Sequence, residues 1–280
     1  MRQKVKSQYR IIYLFSWMLV CSAIVGFFII AGCASKNQKQ GFQAPVKIID
    51  LGGIVTEDLP ERVWGKATMQ AIGFNKANTF EVIEWKFESK DGKVTGSNAY
   101  YTLFNHGGPH IDAPCHMDLG GGLDSYPIDA FSGPVKVFDV SQYPIGHKVP
   151  VKVFKDNVKQ GDIVLIYTKY IPPKSDSEIA KSLTLTPEAA EYLATIPIRA
   201  FGTDSWTVMS LDDTVKVVSD SEVERMSPIH YSFLSRKIPI YEGLVQVDKL
   251  LAFKDMYFVG VPLNIKDGDG MLVRPVVITY

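Results

Sequence analysis

The chain has 280 residues and equal numbers of basic and acidic side chains, 30 of each, so its formal net charge is zero. With no basic stripe to offset that balance, a nucleic-acid or polyanionic partner is excluded. Of three cysteines, Cys21 and Cys33 fall in an apolar N-terminal region. Cys115 is left as the single thiol of the body, which rules out a disulfide framework there.

Arg2, Lys4, Lys6 and Arg10 precede an apolar run over residues 11–30, which ends in Ile30-Ala31-Gly32-Cys33. That order is an export signal: the basic end stays cytoplasmic while the apolar run enters the membrane. The last four residues resemble the bacterial lipobox, in which the cysteine is acylated and becomes the new N-terminus. Residues 1–32 are therefore expected to be a lipoprotein signal peptide, with lipidation at Cys33. An uncleaved signal anchor is the competing reading, since the run approaches the length of a spanning helix. Residues 33–45, rich in Lys, Asn, Gln and Gly, should form a flexible tether. The remainder, 46–280, is one domain on the periplasmic or extracellular face of a membrane.

Residues 46–51 (VKIIDL), bounded by Gly52-Gly53, read as a strand, followed by strands at 80–87 and 99–104. Residues 135–140 and 163–168 (IVLIYT) read as buried strands, the second introduced by the turn pair Gly161-Asp162. A helix is expected over 187–194, with Thr186 as N-cap, Pro187 at the first helical position and Glu188 in the first turn. A short strand at 198–202 ends at Thr203-Asp204-Ser205. A second helix covers 228–235, and a strand at 238–241 delivers Glu242 at its end. Strands at 258–262 and 275–279 complete a sheet-rich α/β domain.

The segment 105–117, NHGGPHIDAPCHM, holds three of the five histidines and an aspartate. Gly107, Gly108, Pro109 and Pro114 exclude a helical arrangement, so the polar groups come from a turn followed by a short extended stretch. Alternate side chains of an extended stretch share a face, which puts His110 and Asp112 together, and the Gly107-Gly108 turn can fold His106 back toward them. Two imidazoles and a carboxylate facing one point make half of a metal site. Zinc, manganese or iron would accept those nitrogen and oxygen donors. Cys115 has the opposite parity to Asp112 and His116 and reads as a small buried residue. Outside the segment, Asp204 either accepts a hydrogen bond from a ligand histidine or caps its own turn, His147 is solvated, and Trp64 and Trp206 are core residues before they are pocket walls.

These residues resemble the cyclase family of metal-dependent hydrolases that includes bacterial kynurenine formamidase and isatin hydrolase, over about residues 48–278. The family signature HxGTHxDxPxH stands here as His106, Gly108, Pro109, His110, Asp112, Pro114 and His116, with Pro109 in place of the threonine. Asp50-Leu51, the run from Gly161 to Leu165, Gly202-Thr203-Asp204, Pro262-Leu263, Gly268-Asp269-Gly270 and Arg274 follow in the family's order, as do His230 and Glu242, twelve residues apart.

The resemblance implies a β/β/α (swivelling, cyclase-like) domain and one or two divalent ions, zinc or manganese. It implies that His106, His110 and Asp112 hold the first ion, that Asp112, His230 and Glu242 hold the second, and that His116 transfers protons. The residues alone agree on the first trio and are silent on the second. The activity implied is a metal-dependent amidohydrolase of arylformamidase type, in which metal-activated water opens N-formylkynurenine-like or cyclic aryl amides. A lactone or cyclic imide hydrolase, or a cyclase, on the same site is the nearest alternative. A lipoprotein that binds metal or a ligand without turnover is the alternative from another class. The expected partners are a small amide substrate, the membrane through the lipid anchor, and a second copy in a homodimer of the kind common in the family.

Overall fold

The computed structural model describes residue 44 and residues 47–280, apart from 72, 75, 179 and 210–226. The expected signal peptide, Cys33 and nearly all of the tether lie outside the described residues. The chain opens with strand β1 (Lys47–Asp50), followed by two short helices, α1 (Leu59–Trp64) and α2 (Lys66–Ala71). Strands β2 (Thr79–Ser89) and β3 (Gly92–Thr102) form a hairpin that leads through a turn into β4 (His110–Asp112). Then come β5 (Ser132–Asp139), β6 (Lys148–Val149), β7 (Ile163–Tyr167) and β8 (Thr184–Leu185). Helix α3 (Pro187–Thr195), β9 (Ala200–Thr203), α4 (Pro228–Leu234), β10 (Ile240–Glu242), β11 (Met256–Val259), β12 (Gly270–Leu272) and β13 (Val276–Thr279) complete the order.

Nine strands make one sheet, in the order β1-β13-β11-β5-β7-β9-β10-β4-β12. Its centre, from β5 through β7 and β9 to β10, is parallel, and both flanks are antiparallel. Parallel neighbours need a crossover: α3 lies between β7 and β9 in the chain, and α4 between β9 and β10. A strand covered on both faces has no use for polar alternation, and the central one reads IVLIY with its first four residues buried. Alternate residues of that sheet feed two cores. Val164, Ile166, Phe201 and Ile240 pack against Leu193 of α3 and Ile229 and Phe233 of α4. Leu165, Ala200, Ile111 and Tyr241 point the other way, into a core shared with Ile49, Phe258 and Val277 from the opposite end of the sheet. Strands that are far apart in the sheet order meet there, so the sheet curls over its second core.

Most expected elements form close to their expected bounds. Thr186 caps α3 as read, its hydroxyl accepting from the Ala189 N–H, a contact worth about 1 kcal/mol. Two differences have clear causes. Helices α1 and α2 were not foreseen; α1 starts at Leu59, with Pro60 second, without a side-chain cap, and packing of Leu59 and Trp64 holds it. Strand β3 begins at Gly92 rather than 99, because it pairs with β2 along all eleven of its residues, and that pairing holds its polar first half in place of its own propensity. That hairpin is a separate two-stranded sheet.

Candidate metal centre

The turn before β4 closes with the Gly107 N–H donating to Phe104 O at 3.0 Å. Neither Gly107 nor Gly108 has a positive φ. They are glycine because a Cβ would stand 2.7 Å from Pro60 and Phe104 at the first position and 2.6 Å from Leu59 at the second. The backbone therefore lies flat against α1, and His106 turns inward, 6% exposed. In β4 the alternation works as read: Ile111 enters the curled core, and His110 and Asp112 share the opposite face. Pairing then sets the neighbours, with Glu242 of β10 opposite His110 and Gly270 of β12 opposite Asp112. Helix α4 packs on this face and contributes His230.

Asp112 stands at the centre, fully buried. Its Oδ1 lies 2.9 Å from His106 Nδ1 and 3.2 Å from His110 Nε2, and its Oδ2 lies 3.7 Å from His230 Nε2. Glu242 closes the ring, 3.5 Å from His110 Nε2 and 3.3 Å from His230 Nε2. Despite these approaches, neither Asp112 oxygen has a hydrogen-bond partner among the described residues. A buried carboxylate whose lone pairs and three imidazole nitrogens face one space, without bonding each other in proper geometry, is a fit for a cation. The outer nitrogens are anchored: His110 Nδ1 donates to Gly108 O at 2.7 Å, and His230 Nδ1 bonds the Ser227 hydroxyl. The first bond, to a carbonyl that can only accept, holds His110 in the tautomer with Nε2 toward the centre, and the second fixes the plane of the His230 ring.

The electrostatics carry the same message. Burial disfavours the charged form of His110, yet Asp112 and Glu242 beside it push its pKa up to about 10. Burial likewise opposes a proton on His106, and the Asp112 and Asp269 carboxylates overcome it. Asp112 is held well below the usual carboxylate range against its burial, by His110, His116 and His106. Glu242 is lowered against burial and the Asp112 charge, through His110 and His230. Protons here do what a cation would do, which is to compensate two carboxylates removed from water.

The structure brings together His106, His110 and Asp112, whose ligand atoms lie within 4.8 Å of one another. The second trio is gathered differently. Asp112 and His230 form such a group with His116, while Glu242 reaches the centre through His110 and His230. Glu242 is also engaged from behind: its Oε1 accepts from the Val208 N–H at 2.6 Å. His116 sits on a single 3-10 turn (Pro114–Met117), its side chain 30% exposed, stacked on His106 at 4.4 Å.

Other expectations resolve individually. Cys115 is half-buried rather than buried, because the same turn carries it to the rim, and its thiol points to Asp267 O at 3.8 Å. Asp204 neither meets a ligand histidine nor caps its own turn. It accepts from the N–H and hydroxyl of Thr168 and the N–H of Tyr170, fastening the loop after β7. His147 is exposed. Trp64 and Trp206 are buried against each other, ring centroids 4.8 Å apart, with Phe104 between Trp64 and the His106 ring. Pro109 keeps its carbonyl in use as acceptor for the Val273 N–H.

Sequence reasoning gave no role to Asp269, Asn105 or Ser227. Asp269 Oδ2 lies 3.0 Å from His106 Nε2, and the Asn105 side chain donates to its Oδ1 at 2.8 Å. Ser227 stands just before α4 without capping it, and its hydroxyl bonds His230 three residues on.

A family model described as "Putative cyclase" matches residues 49–209. Kynurenine formamidase of Salinibacter ruber is 28% identical over 175 residues, 62% of this chain and 76% of the relative. The Bacillus anthracis protein of the same name is 29% identical over 204 residues, 71% and 86% of the two chains. Among solved structures, an isatin hydrolase bound to the product analogue thioisatinate superposes with a TM-score of 0.65 at 19% identity, covering 94% of this chain and 99% of its own. Isatin hydrolase A from Labrenzia aggregata, bound to benzyl benzoate, gives 0.62 at 23%, covering 84% and 94%. The fold likeness thus extends past the matched segment, to the part that holds His230 and Glu242.

Proposed function

This chain belongs to the cyclase family, and on that premise we propose that it is a metal-dependent hydrolase of carbon–nitrogen bonds with arylformamidase-type chemistry, acting on formylated aryl amines or cyclic aryl amides. The observation that carries the reading is Asp112, a fully buried carboxylate ringed by three imidazoles and hydrogen-bonded to none of them. His106, His110 and Asp112 would hold a first divalent ion, zinc or manganese, and Asp112, His230 and Glu242 would hold a second. Such an ion brings the pKa of water from 15.7 to about 7 and polarises a carbonyl oxygen.

The chain's own residues supply the rest. His116, outside the first trio and partly open to solvent, takes a proton from the attacking water and returns it to the leaving nitrogen. Buried Gly108 O keeps the His110 ring in the tautomer the ion requires, and the Ser227 hydroxyl orients that of His230. Phe104, its ring 6.2 Å from that of His106, offers an apolar flank to an aryl group.

The same reading includes an export signal over 1–32, an acylated Cys33 and a tether that holds the body at a membrane surface outside the cytoplasm. It also includes a homodimer. The β2–β3 hairpin supports that assembly: among the described residues its strands pair only with each other, and Ile83, Phe87, Val94 and Tyr100 are each 44% or more exposed on one face. A two-stranded ribbon with an uncovered apolar face is marginal alone in water. Sedimentation of the soluble body as a monomer would remove the dimer from the proposal.

The activity is tested by acid release from N-formylkynurenine, isatin, lactones and cyclic imides by residues 44–280, with added metal and with chelator. Release that chelator abolishes, strongest on the amides, is expected. Release from lactones alone would move the substrate class to esters, and silence across the panel in a folded, metal-loaded sample would leave a binding protein.

A further inference from the structure

The ligand motif says which imidazoles face the centre but not what turns them there. For His106 the structure assigns that task to Asp269: we propose that Asp269 is a positioning residue whose carboxylate accepts the Nε2 proton of His106, leaving Nδ1 with its lone pair directed at the space in front of Asp112. The inference rests on the metal-centre reading above. An imidazole that ligates through one nitrogen carries its proton on the other, and whatever accepts that proton fixes both the tautomer and the ring plane. Here His106 Nε2 lies 3.0 Å from Asp269 Oδ2, and Nδ1 lies 2.9 Å from Asp112 Oδ1.

The acceptor is itself held, at its side chain and at its carbonyl. Asn105 Nδ2 donates to Asp269 Oδ1 at 2.8 Å and to Gly270 O at 3.2 Å, and the Ala113 N–H donates to the Asp269 carbonyl at 2.8 Å. Gly270 completes the cradle, because a Cβ there would stand 2.5 Å from His106 Cε1. The ring therefore lies against bare backbone at the start of β12, with its proton pointed at the preceding side chain. The same Oδ2 is 3.8 Å from His116 Nδ1, so one carboxylate stands beside both the ligand ring and the proton-transfer ring stacked on it.

Asp269 could instead be read as a ligand, since it lies with His106 and His116 at metal-ligand spacing. Burial decides between the two. Asp269 is 49% exposed and already bonded by Asn105, whereas Asp112 is fully buried with both oxygens unpartnered. An ion drawn to Asp269 would take His106 through Nε2 and leave the buried carboxylate uncompensated, the costlier arrangement.

The test is a titration of the metal-free body with Co2+, followed by its visible absorption band. Asp269→Ala is expected to bind about 10- to 100-fold more weakly with an altered band, Asp269→Asn, which keeps an acceptor oxygen, to recover most of the affinity, and Asn105→Ala to lose less than Asp269→Ala. Wild-type affinity and band in Asp269→Ala overturn the inference, as does an Asp269→Asn variant no better than Ala. A wild-type body that binds no Co2+ overturns the metal-centre reading itself, and that failure is separate from the other two.

Discussion

Residues 106–112 and residues 227–242 each deliver imidazole and carboxylate to the same space, but they are built differently. The first set is nearly local: a turn packed flat on α1 and three residues of strand place His106, His110 and Asp112 within reach of one another. The second is assembled by the sheet. Glu242 is opposite His110 only because β10 pairs with β4, and His230 arrives on a helix that covers that face. A local constellation is specified by spacing and alternation, while a distributed one depends on register, so damage to the two should differ in size and kind.

Asp112 belongs to both sets, and its removal has the largest expected effect. Asp112→Ala should abolish both metal binding and hydrolysis, read by elemental analysis of the purified protein and by acid release. Retention of one ion per chain would show that either set holds metal without it. His116→Ala comes next. It should keep its metal yet lose hydrolysis by about 100-fold or more, the scale of a lost general base. Lost metal would move His116 into the ligand set, where its grouping with Asp112 and His230 makes the outcome readable.

Ser227→Ala separates the two regions more finely. Without the hydroxyl, His230 Nδ1 is buried beside no acceptor, and affinity for a second ion should weaken by about 10- to 100-fold while the first is untouched. Equal weakening of both ions in a two-step titration would mean that the sites are one unit. A further test is pH. His110 has its pKa raised from 6.5 to about 10 in the fold, so its charge stabilises the metal-free protein fully below about pH 6.5 and less as pH rises through 10. The Tm of the metal-free body should fall over that window; a flat profile would show that His110 is not charged in the metal-free protein.

The contrast also explains what could be read from the chain. His106, His110 and Asp112 were legible because glycines and prolines ruled out helix and a period of two placed two of them on one face. Glu242 and His230 were legible only through resemblance, since each alone is an ordinary strand-end or helix residue. Asp269 entered only as part of the family's Gly268-Asp269-Gly270 order, and Ser227 carried no reading at all. Their hydrogen bonds go to histidines of the centre, and Asp269 meets one 163 residues away in the chain.

Local order along the chain determined most of the strands, the α3 cap and the breakers around the ligand segment, because propensity, side-chain alternation and hydropathy act over a few residues. Only the tertiary structure decided that the sheet curls, that β4 lies between β10 and β12, and that a single buried carboxylate meets three imidazoles. Those outcomes follow from which apolar faces can be buried together, and that is a property of the whole chain rather than of any window of it.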